Sequence, residues 1–142
     1  MAEQSYNLNF KGYWRESHID SIPFDSGIYC VYTCSFNEKT KTVIINKLIY
    51  VGEADDVNQR IKNHEKWPGW RKALGFGEEL CFSFAHFEST YRERVEAALI
   101  FKHKPTLNDD YKDSFPFDKS TILISGATEL LFQIFTVERT QQ

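Results

Sequence analysis

The stretch Leu48–His64, LIYVGEADDVNQRIKNH, joins the end of a strand to the start of a helix. The residues LIYVG are mostly β-branched and aromatic, which favours a strand that ends at Gly52. Asp56 is followed three residues later by a glutamine, the pattern of a capping box at a helix start. Arg60 and His64 are then one helical turn apart, so we expect their side chains on one helix face.

The residues before this stretch predict a β-hairpin. SGIYCVYTCSF, residues 26–36, is rich in β-branched and aromatic residues, and TVIINKLIYVG, residues 42–52, returns after the polar turn NEKTK. With the turn centred on NEKTK, Tyr29 lies opposite Tyr50. Both side chains would then point to the same face of the sheet.

The residues after this stretch predict a third strand and a second helix. Residues 79–87, ELCFSFAHF, alternate as a strand, and residues 89–105 predict a helix that begins with a capping box of Thr90 and Glu93. We expect WPGW, residues 67–70, to break the first helix. The element order β-β-α-β-α predicts an α/β (α+β) domain, with a small, mainly antiparallel, three-stranded sheet flanked by helices.

This domain is predicted to cover residues 26–108. Residues 1–25 form an N-terminal arm, in which NLNFKGYWRES reads as a short strand or as a covering segment. Residues 109–142 form a C-terminal extension that packs on the same domain. Within it, TILISGATELLFQIFTVE reads as a hairpin about Gly126 or as a strand followed by a helix.

Composition limits the class of protein. A chain of 142 residues fits one domain with a substantial core. No apolar run approaches the roughly 20 residues that span a bilayer, and the N-terminus lacks the features of a signal peptide. Cys30, Cys34 and Cys81 show no metal-ligand spacing, so we expect buried, reduced thiols in a cytoplasmic protein.

Charge is spread unevenly along the chain. The formal net charge of −3 argues against a general nucleic-acid-coating protein. Between Val57 and Gly75, however, the only acidic residue is Glu65, and the chain beyond Pro105 is acidic. This basic zone suits a partner that contacts one face, and a solvated helix surface is the alternative. The basic zone consists of Arg60, Lys62, Lys66, Arg71 and Lys72.

Several of these segments resemble the GIY-YIG nuclease family. GIY at residues 27–29 and YVG at residues 50–52 are similar to its two name-giving motifs, and EAALIFKHKPTLN, residues 96–108, is similar to its closing segment. The resemblance implies a divalent-metal-dependent DNA endonuclease that hydrolyses phosphodiester bonds. It also implies that the site residues converge on one shallow face of the three-stranded sheet. These residues are Tyr29, Tyr50, Arg60, His64, Glu96 and Asn108.

The resemblance gives roles to four of these residues. Tyr50 would act as the general base or orient the attacking water, with Tyr29 as its partner. Glu96 would hold Mg²⁺ or Mn²⁺, weakly without DNA, because waters and phosphate oxygens supply the remaining ligands. Asn108 would support the site by hydrogen bonding.

The basic residues are expected to contact the substrate. The planar fork of Arg60 matches two phosphate oxygens, and His64 is suited to position a water, relay a proton or bond to phosphate. Trp67 and Trp70 either stack on bases beside the basic zone or are buried. The expected nucleic-acid contacts are Lys62, Lys66, Arg71 and Lys72.

One residue departs from the family pattern. Many family members have a lysine directly after the second motif, and this chain has Glu53 there. The negative charge is expected to raise the pKa of a nearby tyrosine, so either Lys62 or His64 substitutes for the lysine or activity is reduced. Three hypotheses remain open: a metal-dependent endonuclease, a catalytically weak nucleic-acid-binding or interaction module of the same fold, and an unrelated α/β domain with an accidental motif.

Overall fold

A computed structural model describes residues 4–88 and 90–140. The strands are β1 (Gln4–Arg15), β2 (Gly27–Asn37), β3 (Thr42–Ala54), β4 (Glu79–His86), β5 (Ser120–Gly126) and β6 (Ile134–Val137). The helices are α1 (Val57–Lys62), α2 (Trp67–Lys72) and α3 (Arg92–His103), with a 3₁₀ helix over Glu16–Ser21. The described strands form one six-stranded sheet in the order β3-β2-β4-β1-β5-β6.

The sheet corrects the predicted fold class. A small three-stranded sheet flanked by helices is wrong, because the flanking segments extend the β3-β2-β4 unit to a mixed six-stranded sheet. The apolar side chains of β1, Tyr6, Leu8 and Phe10, are buried at alternate positions. β5 pairs in parallel with β1 from Gln4 and Ser120 onward. The N-terminal segment is therefore a strand within the sheet rather than a covering segment.

The C-terminal segment also completes the sheet. β5 and β6 are antiparallel neighbours, which confirms a hairpin, although its connection follows Gly126 and covers residues 127–133. The alternative of a strand followed by a helix is wrong. β6 is the last strand of the sheet order, so it forms one edge, and β3 forms the other.

The β2–β3 hairpin has a different register from the predicted one. Tyr29 pairs with Gly52, and Tyr50 pairs with Val31. Near the turn the register is the expected one, but the register shifts after Val31 and after Thr33 each add one residue to β3. Two such shifts move the pairing by two residues and leave both tyrosines on the same face, because side chains alternate with a period of two.

The first helix begins as predicted and ends earlier. The Asp56 carboxylate accepts a hydrogen bond from the Gln59 N–H at 3.1 Å, which confirms the N-cap. α1 ends at Lys62. His64 therefore lies beyond the helix, and the prediction that it shares a helix face with Arg60 is wrong.

The other two helices also differ from the prediction at their starts. WPGW does not break a helix but begins α2, with Pro68 in the first turn, where its missing N–H is not needed. The N-cap of α3 is Tyr91, and no side-chain hydrogen bond caps the helix start, so the predicted capping box of Thr90 and Glu93 is wrong. Among the helices in the described residues, none is long and apolar enough to cross a membrane.

The sheet carries an apolar core on each face. Successive residues of β2 alternate between the two cores, as in a strand buried on both sides. The α3 core contains Ile28, Cys30, Val51, Val95 and Leu99. The α1–α2 core contains Tyr29, Val31, Val57, Ile61 and Trp70. The three cysteines are buried and free, as predicted.

Candidate nuclease site

Tyr29 and Tyr50 lie together on the α1–α2 side of the sheet, with their ring centroids 6.3 Å apart. Tyr29 is buried and Tyr50 is partly buried. Gly52 does not end its strand, which continues to Ala54. A Cβ at Gly52 would instead collide with the ring and hydroxyl of Tyr29. The glycine of the second motif therefore makes room for the tyrosine of the first.

Both phenols are held in the neutral form. Burial, followed by the charge of Tyr50, raises the pKa of Tyr29, and the nearby Arg60 opposes this shift. Burial, followed by the charge of Glu96, raises the pKa of Tyr50 to about 12. A phenol with such a pKa orients a water by hydrogen bonding but supplies very little phenolate at pH 7.

His64 is a buried, neutral side chain. Its Nδ1 accepts a hydrogen bond from the Lys66 N–H at 3.0 Å, which places the proton on Nε2. Burial, with a smaller effect of Arg60, lowers the pKa of His64 to about 4. The ring packs 5.1 Å from Tyr50 and 4.7 Å from Trp70 between centroids. Nε2–H finds no hydrogen-bond partner among the described residues, so His64 brings a neutral donor to the tyrosines.

Arg60 binds a carboxylate of its own chain. Its two terminal nitrogens donate to the two oxygens of Glu65 at 3.0 and 3.2 Å. This hydrogen bonding lowers the pKa of Glu65 to about 2. Arginine uses the same bidentate geometry for a phosphate group, and here both terminal nitrogens of Arg60 are taken up by Glu65.

Glu96 reaches the tyrosines around an edge of the sheet. Its helix, α3, packs on the opposite face from Tyr50. Because β3 is an edge strand, Glu96 and Tyr50 still line one cavity. The predicted convergence on one face of a three-stranded sheet is therefore wrong, and three of the six residues, Tyr50, Glu96 and Asn108, line a cavity at the β3 edge.

The environment of Glu96 favours its protonated form. Burial, followed by the charges of Glu53, Glu93 and Asp110, raises the pKa of Glu96 to about 8. Glu53 therefore raises the pKa of Glu96, the predicted metal ligand. The acids that raise the pKa of Tyr50 are Glu96, Glu65 and Asp109. The Glu53 carboxylate accepts a hydrogen bond from Arg92 at 2.5 Å.

Asn108 joins the loop after α3 to the edge of β3. Its Oδ1 accepts from the Val51 N–H at 2.9 Å, and its Nδ2 donates to the Val51 carbonyl at 2.9 Å. Beside it, the Leu107 N–H donates to the Ile49 carbonyl at 2.9 Å. These bonds occupy the edge as a neighbouring strand would, and they hold the loop against Tyr50.

The loop and β3 enclose a cavity of about 90 Å³. Carboxylate and amide oxygens of this kind suit a hard cation. In the described part of the chain, no group of three or more His, Cys, Asp or Glu is placed to hold a metal ion. The residues therefore fit only a weakly held ion that completes its coordination with water and substrate. The cavity is lined by Tyr50, Lys66, Glu96, Ile100, Asn108, Asp109, Asp110 and Tyr111.

Most of the basic zone is paired with carboxylates. Lys62 donates to Asp20 at 2.6 Å and Lys66 donates to Asp109 at 2.8 Å. Arg71 pairs with Glu16. Only one member of the zone, Lys66, also lines the cavity beside Tyr50.

The two tryptophans of α2 belong to the interior. Trp70 is buried in the α1–α2 core. Trp67 stacks on Phe82 with the ring centroids 5.9 Å apart. Of the two alternatives that the sequence left open, base stacking and burial, burial is correct for Trp70. Trp67 is partly buried.

Sequence reasoning did not single out several residues that the structure makes prominent. Asp109 and Asp110 line the cavity. The sequence feature that could have identified them is their position directly after Asn108. Glu65 was visible as the single acid of the basic zone. Phe76 stands out only in the structure, where its side chain is fully exposed.

Comparison with known proteins assigns no family. No protein-family model, curated protein or solved structure matches the chain.

Proposed function

We propose that the chain is a divalent-metal-dependent DNA endonuclease of the GIY-YIG type. The observation that supports this most is the cavity at the β3 edge. There Tyr50, Glu96 and Asn108, which come from separate segments, line one space of about 90 Å³. Tyr29 lies next to Tyr50, with the ring centroids 6.3 Å apart, and the charge of Arg60 lowers the pKa of both tyrosines against the larger effect of burial.

Each side chain would have a distinct task in phosphodiester hydrolysis. Arg60 would leave Glu65 and bind two oxygens of the scissile phosphate, stabilising charge as it develops. Tyr50 and Tyr29, as neutral phenols, would orient the attacking water. This favours the orienting role over the general-base role for Tyr50, because a base would have to ionise first. His64 would donate from Nε2 within the same cluster.

Glu96 would hold the divalent cation, with the remaining ligands from water and phosphate. When bound, such a cation supplies charge stabilisation for the phosphate and the leaving oxygen. Asn108 would keep the loop that carries Asp109 and Asp110 against β3. Asp109 pairs directly with Lys66 at 2.8 Å, so a substrate phosphate would have to replace Asp109 as the partner of Lys66.

The test is cleavage of supercoiled, branched and single-stranded DNA by the purified protein with Mg²⁺ or Mn²⁺. Glu96→Gln keeps the size of the side chain and removes the carboxyl group that would bind a cation on losing its proton, so cleavage should fall by orders of magnitude while DNA binding persists. Glu138→Gln makes the same charge change at an exposed position of the C-terminal segment and should leave cleavage intact. Cleavage by the wild type that continues in excess EDTA would contradict the proposal.

Arg60→Ala separates the two charge-stabilising groups. It should also abolish cleavage, and added Mg²⁺ should not restore it, because the lost group binds phosphate rather than metal. High Mn²⁺ should partly restore cleavage by Glu96→Gln, since phosphate and water ligands remain.

A second candidate is a nucleic-acid-binding or interaction module with weak catalysis. It is favoured by the carboxylates that pair with Arg60, Lys62, Lys66 and Arg71. Salt-sensitive DNA binding without cleavage under any metal condition would select this candidate. Lys72→Glu should then weaken binding and flatten its salt dependence.

A further inference from the structure

Phe76 is presented to solvent at the tip of the turn between α2 and β4. Its relative exposure is 108%, the highest among the exposed large apolar residues described. The neighbouring aromatic residues Trp67 and Trp70 are packed against Phe82 and the α1–α2 core. A single exposed apolar residue is common on proteins. Whether Phe76 has a binding role therefore depends on the residues around it.

The turn that carries Phe76 is held by hydrogen bonds at both ends. The Glu78 N–H donates to the Gly75 carbonyl at 3.1 Å, and the Gly75 N–H donates to Glu78 Oε1 at 2.7 Å. The other Glu78 oxygen accepts from Asn46 of β3 at 2.9 Å. Gly77 has φ of +76°, a conformation that glycine adopts without strain. The ordered turn therefore presents the aromatic ring to solvent in a fixed position. This reduces the conformational entropy that would be lost on binding.

Both cationic and acidic side chains lie near this turn, since Arg71 pairs with Glu16 and Glu78 belongs to the turn itself. Arg71 and Lys72 at the end of α2 are both exposed. Lys47 on β3 is also exposed, and it is close enough to lower the pKa of Glu78, although hydrogen bonds to Glu78 have larger effects. An exposed aromatic ring among cations is the combination that binds single strands, because bases stack on the ring and phosphates contact the cations.

The surface of α2 connects this turn to the cavity. Lys66, just before α2, lines the cavity with Tyr50 and Glu96. Six helical residues rise about 9 Å and four further residues span at most about 14 Å, so Phe76 lies within roughly 25 Å of Lys66. A strand of about seven nucleotides at 3.4 Å spacing would cover that distance.

The opposite wall of the cavity is acidic. Asp109 and Asp110 line it, whereas the cations lie along α2. One phosphate backbone would contact the cations, but the second backbone of a duplex would meet carboxylates. In a duplex, moreover, bases are stacked on each other, and no free base face is available for an aromatic ring.

We propose that Phe76 is a stacking platform for an unpaired nucleotide, and that the surface from Lys66 to Phe76 binds a single-stranded stretch of DNA leading into the cavity. This rests on the proposed function for the choice of DNA as the partner. It adds that the bound strand is unpaired beside the scissile phosphate, as at a flap, a branch or a melted end.

The test is binding of a short single-stranded oligonucleotide, in EDTA so that no cleavage occurs. Phe76→Ala should weaken binding by roughly 5- to 100-fold, the loss of one base–aromatic contact. Phe76→Leu should weaken it similarly, because the side chain stays apolar but loses its flat face, and Phe76→Trp should retain binding. A 2-aminopurine base in the strand should lose fluorescence with the wild type and less with Phe76→Ala.

The matched control is Phe24→Ala, which removes another exposed aromatic side chain, in the segment just before β2. It should bind the strand as the wild type does. Phe76→Ala should keep the wild-type unfolding midpoint, since the side chain makes no packing contact to lose, and its binding to duplex DNA should change by less than about 2-fold.

Failure of this inference is distinct from failure of the proposed nuclease. Wild-type protein that does not bind the single strand, or equal binding by Phe76→Ala and wild type, overturns the stacking platform even if metal-dependent cleavage is found. An equal loss for single-stranded and duplex DNA also overturns it. Phe76-dependent binding without any cleavage refutes the nuclease and leaves the platform supported.

Discussion

The two edges of the sheet are protected in different ways. The β3 edge is long, and near its end the Asn108 side chain and the Leu107 backbone bond to its free groups. The β6 edge has four residues, and its first side chain, Ile134, is 67% exposed. A short edge strand offers few unpaired backbone groups to another chain, so its length alone protects it from edge-to-edge pairing. The covered β3 edge instead brings a helix from the opposite face to the tyrosines, so covering this edge also builds the candidate site.

Asn108→Ala should give the largest loss of stability among the edge variants. It removes both bonds to Val51 and leaves a buried N–H and carbonyl without partners, which costs roughly 2–4 kcal/mol. Urea unfolding measures this directly. Gln133→Ala, just before β6, removes an exposed amide and should change the free energy of unfolding by less than about 0.5 kcal/mol. Equal effects of the two variants would contradict a structural role for Asn108.

Gly52→Ala should have the next largest effect. The added methyl group would collide with the Tyr29 ring, and such overpacking costs about 1–3 kcal/mol. Gly69→Ala is the matched control, because nothing lies within 4 Å of a Cβ there. That change is in α2 and should stabilise the protein by up to about 1 kcal/mol through helix propensity. A Gly52→Ala protein as stable as the wild type would show that Tyr29 does not occupy this position.

The pH dependence of stability should report on Glu96. Its folded-state pKa of about 8 exceeds the ordinary value of 4.5, so the stabilising proton is lost as pH rises. His64, with a pKa lowered to about 4, acts in the opposite direction only below its ordinary pKa of about 6.5. Between about pH 6.5 and 8.5 the free energy of unfolding in EDTA should therefore fall by on the order of 1 kcal/mol.

Glu96→Gln separates this effect from other titrations. Urea unfolding of the variant should show a nearly flat profile over that pH interval. A profile as steep as that of the wild type would place the titrating group elsewhere.

Ile134→Lys should have the smallest effect. The side chain is mostly solvated at the outer edge, so the free energy of unfolding should change by less than about 0.5 kcal/mol. A loss above 1 kcal/mol in the same urea titration would mean that the β6 edge is covered in solution.

Local signals in the sequence were sufficient for individual elements. The Asp56 cap and the alternation of Leu80, Phe82 and Phe84 depend on neighbours within a few residues, and both are present. The register of the hairpin was not predictable in this way. It depends on two bulges in β3: the extra residue of one is Ile49, within the apolar run Leu48–Tyr50, and the extra residue of the other is Asn46.

Local signals in the sequence did not predict the contacts between distant segments of the chain. The parallel pairing of Gln4 with Ser120 joins the two ends of the chain, and neither segment indicates its partner. For the site, the resemblance named three of the residues that line the cavity, Tyr50, Glu96 and Asn108, but not the sheet edge at which they lie. It also gave no sign that Glu65 pairs with Arg60, because a charge is visible in a sequence and its partner is not.

The position of β1 has a consequence for the order of folding. β1 is synthesised first, yet it lies between β4 and β5, so its partners leave the ribosome much later. At about 5–20 residues per second, the strand would wait for several seconds before either neighbour exists. Contacts of such sequence separation also slow folding of the complete chain. A chain that begins at residue 26 would lack the strand that joins β4 to β5, and the β5–β6 hairpin would then have no sheet to join.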